Sequence, residues 1–318
     1  VFSLEDLESA AELVHRYFPP TNTYTWPLLS ARTGCELWVK HENQTPTGAF
    51  KVRGGLVHFD RLKRAFPDCP GVISATRGNH GQSLAYAGRQ FAIPVTIVVP
   101  RGNSVEKNAA MRAFGADLVE HGSDFDEARA YAMALAAERG LVFAPSYHPN
   151  LVLGVATYAL ELFRAAPPLA ALYVPIGLGS GIAGCIMARD LLGLETKIIG
   201  VQSTEAPSYA LSYAAGHVVE TNSANTKADG LATRQPDADA LALIRQGAES
   251  IATVTDDEIA DAIRAYWTDT HNLAEGAGAS PLAALLQHRR RWAGQRVATI
   301  LCGGNIDLAL FRSWVLGA

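Results

Sequence analysis

The chain has 318 residues, 48% of them hydrophobic and 18% charged, which is enough to bury one large or two medium cores and excludes global disorder. Its formal net charge is −4 with no long basic run, which argues against nucleic acid or another polyanion as the main partner. Four scattered cysteines (Cys35, Cys69, Cys185 and Cys302) without C-x-x-C spacing read as reduced thiols of a cytoplasmic protein. The nine histidines show no H-x-x-x-H pairing, so no metal site is expected from them. No apolar run approaches the roughly 20 residues that span a bilayer. The acidic start "VFSLEDLESA" lacks the pattern of a signal peptide, and a soluble protein without membrane partners is expected.

In chain order, Leu4 to Arg16 alternate acidic and apolar residues at a helical period and stop before "FPP". "CELWVKHE" then alternates faces as a strand does. Next comes "TPTGAFKVRGG", Thr45 to Gly55, where Gly48 and Ala49 leave little bulk, Phe50 offers an apolar wall and Thr47 is a candidate helix N-cap. Most lysines are solvated surface charges. A lysine that opens a helix here instead lies near aligned backbone N–H groups and partly out of water. Both influences favour the neutral amine, which attacks carbonyls and carries protons.

From Gly71 the pattern becomes α/β: the strands "GVISA", "VTIVVP", "DLVEHG" and "LVFA" are separated by the helices "HGQSLAYAGRQF", "SVEKNAAMRAFG" and "DEARAYAMALAAERG". A second series opens at Leu151, with the helix "VATYALELFRAA", the strand "ALYVPI", a helix running to Leu192 and the strand "KIIGVQS". "RVATILCGGN" is a last buried strand that breaks into a glycine turn. The predicted architecture is two open, twisted, mostly parallel sheets with flanking helices. A small-molecule site belongs in the cleft between them, where the chain crosses near Lys51 and Pro149.

Three more segments carry candidate chemistry. In "SATRGNHGQSLA" a strand ends, and Thr76, Arg77, Gly78, Asn79 and His80 lead into a helix whose backbone N–H groups suit a carboxylate. The same residues also suit a plain helix cap with a surface histidine. "VPIGLGSGIAG" places glycines between a strand and a helix, where the backbone can approach a phosphate. Its Gly179 to Gly184 fit G-x-G-x-x-G, yet the following strand ends in Gln202 and Ser203 rather than in an acid, so a lone phosphate suits it better than a dinucleotide. "LCGGN" ends a strand in Cys302, either a packing residue or one that faces a ligand.

Together, "TGAFKVRG", "TRGNHGQS", "GLGSGIAG" and "CGGN", in that order, resemble the fold-type II pyridoxal-phosphate enzymes, tryptophan synthase beta-like in fold, and in particular their threonine/serine dehydratase and serine racemase branch. The resemblance runs from about Thr25 nearly to the C-terminus. It implies a large cofactor-binding domain of residues 1–50 and 149–318 and a small α/β domain of residues 51–148. It also implies that Lys51 is the Schiff-base lysine and base, with Phe50 packing on the pyridoxal 5′-phosphate ring and Asn79 bonding its 3-oxygen. Gly177, Leu178, Gly179, Ser180 and Gly181 match the phosphate loop, and Cys302 stands opposite the pyridine nitrogen. Thr76, Arg77, Gly78, Asn79 and His80 match the loop that holds the substrate carboxylate, and Glu275 matches an acid beside the ring. The implied reaction is β-elimination from a small β-hydroxy amino acid, such as threonine or serine, to a 2-oxo acid and ammonia by a homodimer or homotetramer. Dehydration of hydroxyaspartate or phenylserine, racemisation, and a ligand-binding regulatory role without chemistry are the rival readings.

Two departures from that pattern matter. Arg77 replaces the serine that serves racemases as acid/base; an arginine, with a pKa above roughly 12, cannot shuttle protons near neutrality, so elimination is favoured. It could instead read a distal carboxylate. The carboxylates of a divalent-cation site in some relatives fall on Gln202 and Ser208, with Glu205 out of register, so no metal is expected. The chain stops about a helix after "CGGN", so feedback through a regulatory domain is not expected either.

Overall fold

The structure, a computed structural model, describes residues 2–318. Among the described residues, ten strands build two sheets. β1 (Thr23–Thr25) and β2 (Glu36–His41) open the larger one. β3 (Val72–Ala75), β4 (Val95–Val99), β5 (Asp117–Glu120) and β6 (Val142–Phe143) form the smaller, in the order β5-β4-β3-β6 and all parallel. β7 (Ala171–Pro175), β8 (Lys197–Ser203), β9 (Ala248–Val254) and β10 (Arg296–Leu301) return to the larger sheet, ordered β1-β2-β10-β7-β8-β9. Only the edge pair β1–β2 is antiparallel. The last strand of the chain is thus inserted between β2 and β7, pairing Arg296 with Glu36 on one side and Val297 with Ala171 on the other.

Helices cover both sheets: α1 (Leu4–His15), α2 (Pro27–Thr33), α3 (Lys51–Ala65), α4 (Asn79–Phe91), α5 (Val105–Ala113), α6 (Phe125–Arg139), α7 (Pro149–Ala165), α8 (Ser180–Leu191), α9 (Ser208–Ala215), α10 (Ala238–Gly247), α11 (Asp256–Thr270) and α12 (Gly276–Gln287). Local chemistry explains several ends. Ser3 and Asp6 form a capping box at α1, and Thr255 and Glu258 form one at α11. The expected N-cap at Thr47 is not formed. Phe50 occupies the cap position of α3 without a side-chain bond, and the Thr47 hydroxyl donates to the Ala49 carbonyl inside the preceding turn. No helix among the described residues is long and apolar enough to cross a membrane.

Helix α3 packs on both α4 and α7, and a buried charge cluster fixes it there. The fully buried Arg53 guanidinium donates to Glu42 (2.7 and 2.9 Å) and to Glu161 (2.6 and 2.9 Å), with Thr157 and Thr21 as further acceptors. The Lys40 ammonium, also fully buried, donates to Glu161 and to the Thr21 carbonyl. Two cations thus face two carboxylates, the condition under which such charges are tolerated away from water. The first turn of α3 is held by this cluster, and that turn begins at Lys51.

Candidate active site

Each chemistry-bearing segment follows the carboxyl end of a strand. Lys51 comes after β2, the Thr76–His80 loop after β3, the Gly177–Gly181 turn after β7 and Cys302 after β10. Carboxyl ends of parallel strands converge on one crevice in open α/β sheets. The insertion of β10 makes the convergence tight. Phe50 N–H donates to the Cys302 carbonyl at 2.9 Å, Ala49 bridges Gly303, and Gly304 N–H reaches Gly48 O at 2.9 Å.

Lys51 is the first residue of α3, its ammonium nitrogen 5.1 Å from the centre of the Phe50 ring. Burial pulls its amine below the usual lysine range, opposed by the nearby Cys302 and Glu275. Phe50 in turn meets Tyr158 edge-on, with ring centres 5.9 Å apart. A small cavity beside the lysine is lined by His80, Ser180, Ser146 and Leu151, so the start of α3, the α4 loop and the glycine turn meet there.

In that α4 loop, the buried Thr76 hydroxyl accepts the Gly78 N–H at 3.2 Å. His80 is buried too, and its imidazole is driven down to about 3, by burial first and then by Lys51 and His58, so it is neutral at physiological pH. Its Nε2 has no protein partner. Asn79 donates to Glu275 Oε1 at 2.7 Å and accepts from Asn305 at 2.9 Å. Arg77 is exposed at the loop tip and makes no ion pair among the described residues.

The glycine turn is backbone-lined because side chains do not fit. A Cβ on Gly177 would lie 2.5 Å from the Gly230 carbonyl oxygen, and Gly179 has φ +97°, a left-handed conformation that favours glycine. Tyr209 donates to the Leu178 carbonyl at 2.8 Å and Tyr158 to the Gly181 carbonyl at 3.0 Å, which fixes both sides of the turn. Ser180 opens α8, so the positive end of that helix faces the turn.

Cys302 and Glu275 close the far side. Burial, reinforced by Glu275, pushes the Cys302 thiol well above its ordinary range, so it stays neutral. Burial likewise raises the Glu275 carboxyl to about 7, against the pull of Lys107, and its Oε2 has no protein partner. At the positions aligned with a divalent-cation site, Gln202 accepts the Ala210 N–H at 2.9 Å and Ser208 donates to Thr233 O at 2.7 Å.

Several residues in this region escape sequence reasoning. Lys107 is only 6% exposed and donates to Asp229, which lies in a turn formed by Asp229–Leu231. Asn305 donates to Thr47 O at 2.8 Å as well as to Asn79. Tyr158 and Tyr209 donate to carbonyls of the glycine turn. One signal was present: Lys107 stands four residues before Met111, on the buried face of α5.

A buried lysine whose amine is pulled below its usual range, an aromatic wall, a glycine turn at a helix start and an uncharged thiol are all gathered on one crevice. The family model for pyridoxal-phosphate dependent enzymes matches residues 14–303. The chain belongs to this family. It is 34% identical to the L-threonine ammonia-lyase of Thermotoga maritima over 97% of this chain and 77% of that protein. It is 32% identical to the L-threo-3-hydroxyaspartate ammonia-lyase of a Pseudomonas species over 99% of both chains. Maize serine racemase superposes with a TM-score of 0.92 at 26% identity, covering 98% of this chain and 96% of the other. The family accounts for the two-sheet fold and for the cofactor, pyridoxal 5′-phosphate.

Proposed function

We propose that the chain is a pyridoxal-phosphate-dependent ammonia-lyase that eliminates the β-hydroxyl of a small amino acid such as threonine or serine, releasing a 2-oxo acid and ammonia. The observation that carries this reading is Lys51: an amine depressed by burial, at a helix start, against an aromatic ring and across a small cavity from the glycine turn. The residues fit the cofactor. The Gly177–Gly181 backbone and the α8 N-terminus suit a phosphate dianion, Phe50 suits the face of a planar ring, and Lys51 suits its aldehyde carbon. When bound, the cofactor supplies the electron sink for the pair left on Cα after proton removal.

This chain's own residues do the rest. Lys51, in its neutral form, would accept the Cα proton, the β-hydroxyl would depart as water with one proton, and water would then hydrolyse the released enamine to the 2-oxo acid and ammonia. The Thr76–His80 loop receives the substrate carboxylate through N–H groups at the start of α4, while the neutral His80 contributes a hydrogen bond and no charge. Cys302, held neutral, would offer the cofactor's ring nitrogen only a weak hydrogen bond and no charge to stabilise its protonation, a setting that would favour prompt loss of the hydroxyl. Arg77 stands where a hydroxyl would be needed to relay a proton, which leaves two-faced proton transfer, and so racemisation, without a donor there. Residues 51–148 would act as a small domain closing on the remainder, and the four buried, unbridged cysteines suit a reducing cytoplasm.

A second substrate has specific support: Arg77 is exposed and unpaired beside the carboxylate loop, and a relative matched over its full length is named for L-threo-3-hydroxyaspartate. Borohydride reduction and peptide mapping test the lysine, and label elsewhere than Lys51 would overturn the assignment. Assaying β-hydroxy amino acids for ammonia and 2-oxo acid release tests the reaction. Arg77→Ala should lower kcat/KM for hydroxyaspartate relative to threonine; an unchanged ratio rejects the second substrate.

A further inference from the structure

Lys107 is a buried lysine with no part in the chemistry above. It extends from α5, beside the smaller sheet, and its ammonium pairs with Asp229, whose own side chain is 40% exposed. Its stem lies over the backbone of Gly78, so close that a Cβ there would stand 2.6 Å from Lys107 Cδ. On the other side, the residue after Asp229 presses its carbonyl oxygen against Gly177 of the glycine turn. Glu275 is near enough for its charge and that of Lys107 to act on each other. Two outer ties flank this contact, Ser104 with Asp307 and the Leu308 N–H with Glu106 at 2.9 Å. An ion pair whose acid is open to solvent adds little to stability, so a contribution to stability is a poor reason for a buried lysine here.

We propose that Lys107 is a positioning residue that fastens the substrate-carboxylate loop at Gly78 to the phosphate-binding turn at Gly177 through Asp229 and Gly230, joining substrate capture to cofactor retention. The inference rests on the reading of those two segments given above. The side chain touches neither reacting atom. It fixes the spacing between two backbone cradles carried on different sheets.

Lys107→Met keeps the stem and removes the charge; Asp229→Asn removes the partner. Each variant, and the double variant, is purified with cofactor and compared with wild type for cofactor dissociation constant, for KM and kcat on the β-hydroxy amino acid turned over best, and for thermal midpoint. Lys107→Met should raise both the cofactor dissociation constant and KM by about tenfold, a coupling of ordinary size, with kcat changed less and the midpoint not lowered. Asp229→Asn should do the same, and the double variant should be no worse than either single. Lys107→Met with both constants within twofold of wild type, or single effects that multiply in the double variant, would overturn the coupling while leaving the enzyme assignment intact. Wild-type protein in which borohydride leaves Lys51 unlabelled overturns the assignment and the coupling together.

Discussion

Arg53→Met tests how the start of α3, and with it Lys51, is held. Arg53 is fully buried and donates six hydrogen bonds, four of them to the carboxylates of Glu42 and Glu161. Removing it leaves the two carboxylates with Lys40 as their one buried cation, beside the half-buried His15 imidazole 2.8 Å from Glu161 Oε1. Breaking a buried pair by deleting one partner costs about 3–5 kcal/mol, and the methionine stem limits the added cavity term. The dependence on pH carries the sharper signature. In the wild type, burial works against the Glu161 charge, but Arg53 and then Lys40 outweigh it and hold its carboxyl below the usual range. Its folded pKa is therefore depressed, and its stabilisation is present above about pH 4.5 and lost as pH falls below that. Without Arg53, burial dominates and the folded state binds a proton more readily than the unfolded chain. The stability gap between variant and wild type should then shrink as pH falls from 7 to 5. Urea denaturation at both pH values measures it. A gap below 1 kcal/mol at pH 7, or one that widens on acidification, refutes the account.

Glu275→Gln should remove an ionisation near neutrality. Because the folded carboxyl is raised to about 7, wild-type stability falls as pH rises from about 4.5 to 7, and the variant should flatten that slope between pH 5 and 7.5 in the same denaturation experiment. Gly177→Ala places a Cβ 2.5 Å from a backbone oxygen, an overlap costing about 1–3 kcal/mol; spectroscopic titration should show cofactor affinity lowered at least tenfold. Asn305→Ala frees both the Thr47 carbonyl and the Asn79 side chain, and should shift the absorbance of the holoprotein while lowering stability by about 1 kcal/mol.

The strand "KIIGVQS" was legible to the residue, because a β-branched apolar run bounded by turn signals leaves little choice of local structure. The helix expected over "VATYALELFRAA" begins six residues earlier, at Pro149, where proline suits a first turn and the His148 side chain supplies the cap. Thr47 was misread because a hydroxyl four residues before a helix has other acceptors within reach, and here it takes Ala49 O. Residue types that form the site were also visible in sequence, since lysine after Gly-Ala-Phe and glycines between a strand and a helix state their chemistry locally.

What local chemistry could not state is who stands beside whom. The insertion of β10 between β2 and β7 sets Cys302 against Phe50, about 250 residues away in sequence, and no periodicity within either segment records that pairing. Lys107 and Asp229, and Arg53 and Glu161, read singly as solvated charges; only the packing that buries Lys107, Arg53 and Glu161 makes these residues partners. The sequence by itself determined the elements and the kinds of group they present, through propensity and spacing. The tertiary structure decided which of those groups lose their water together, and the ionisation of Lys51, Glu275 and Cys302 follows from that loss.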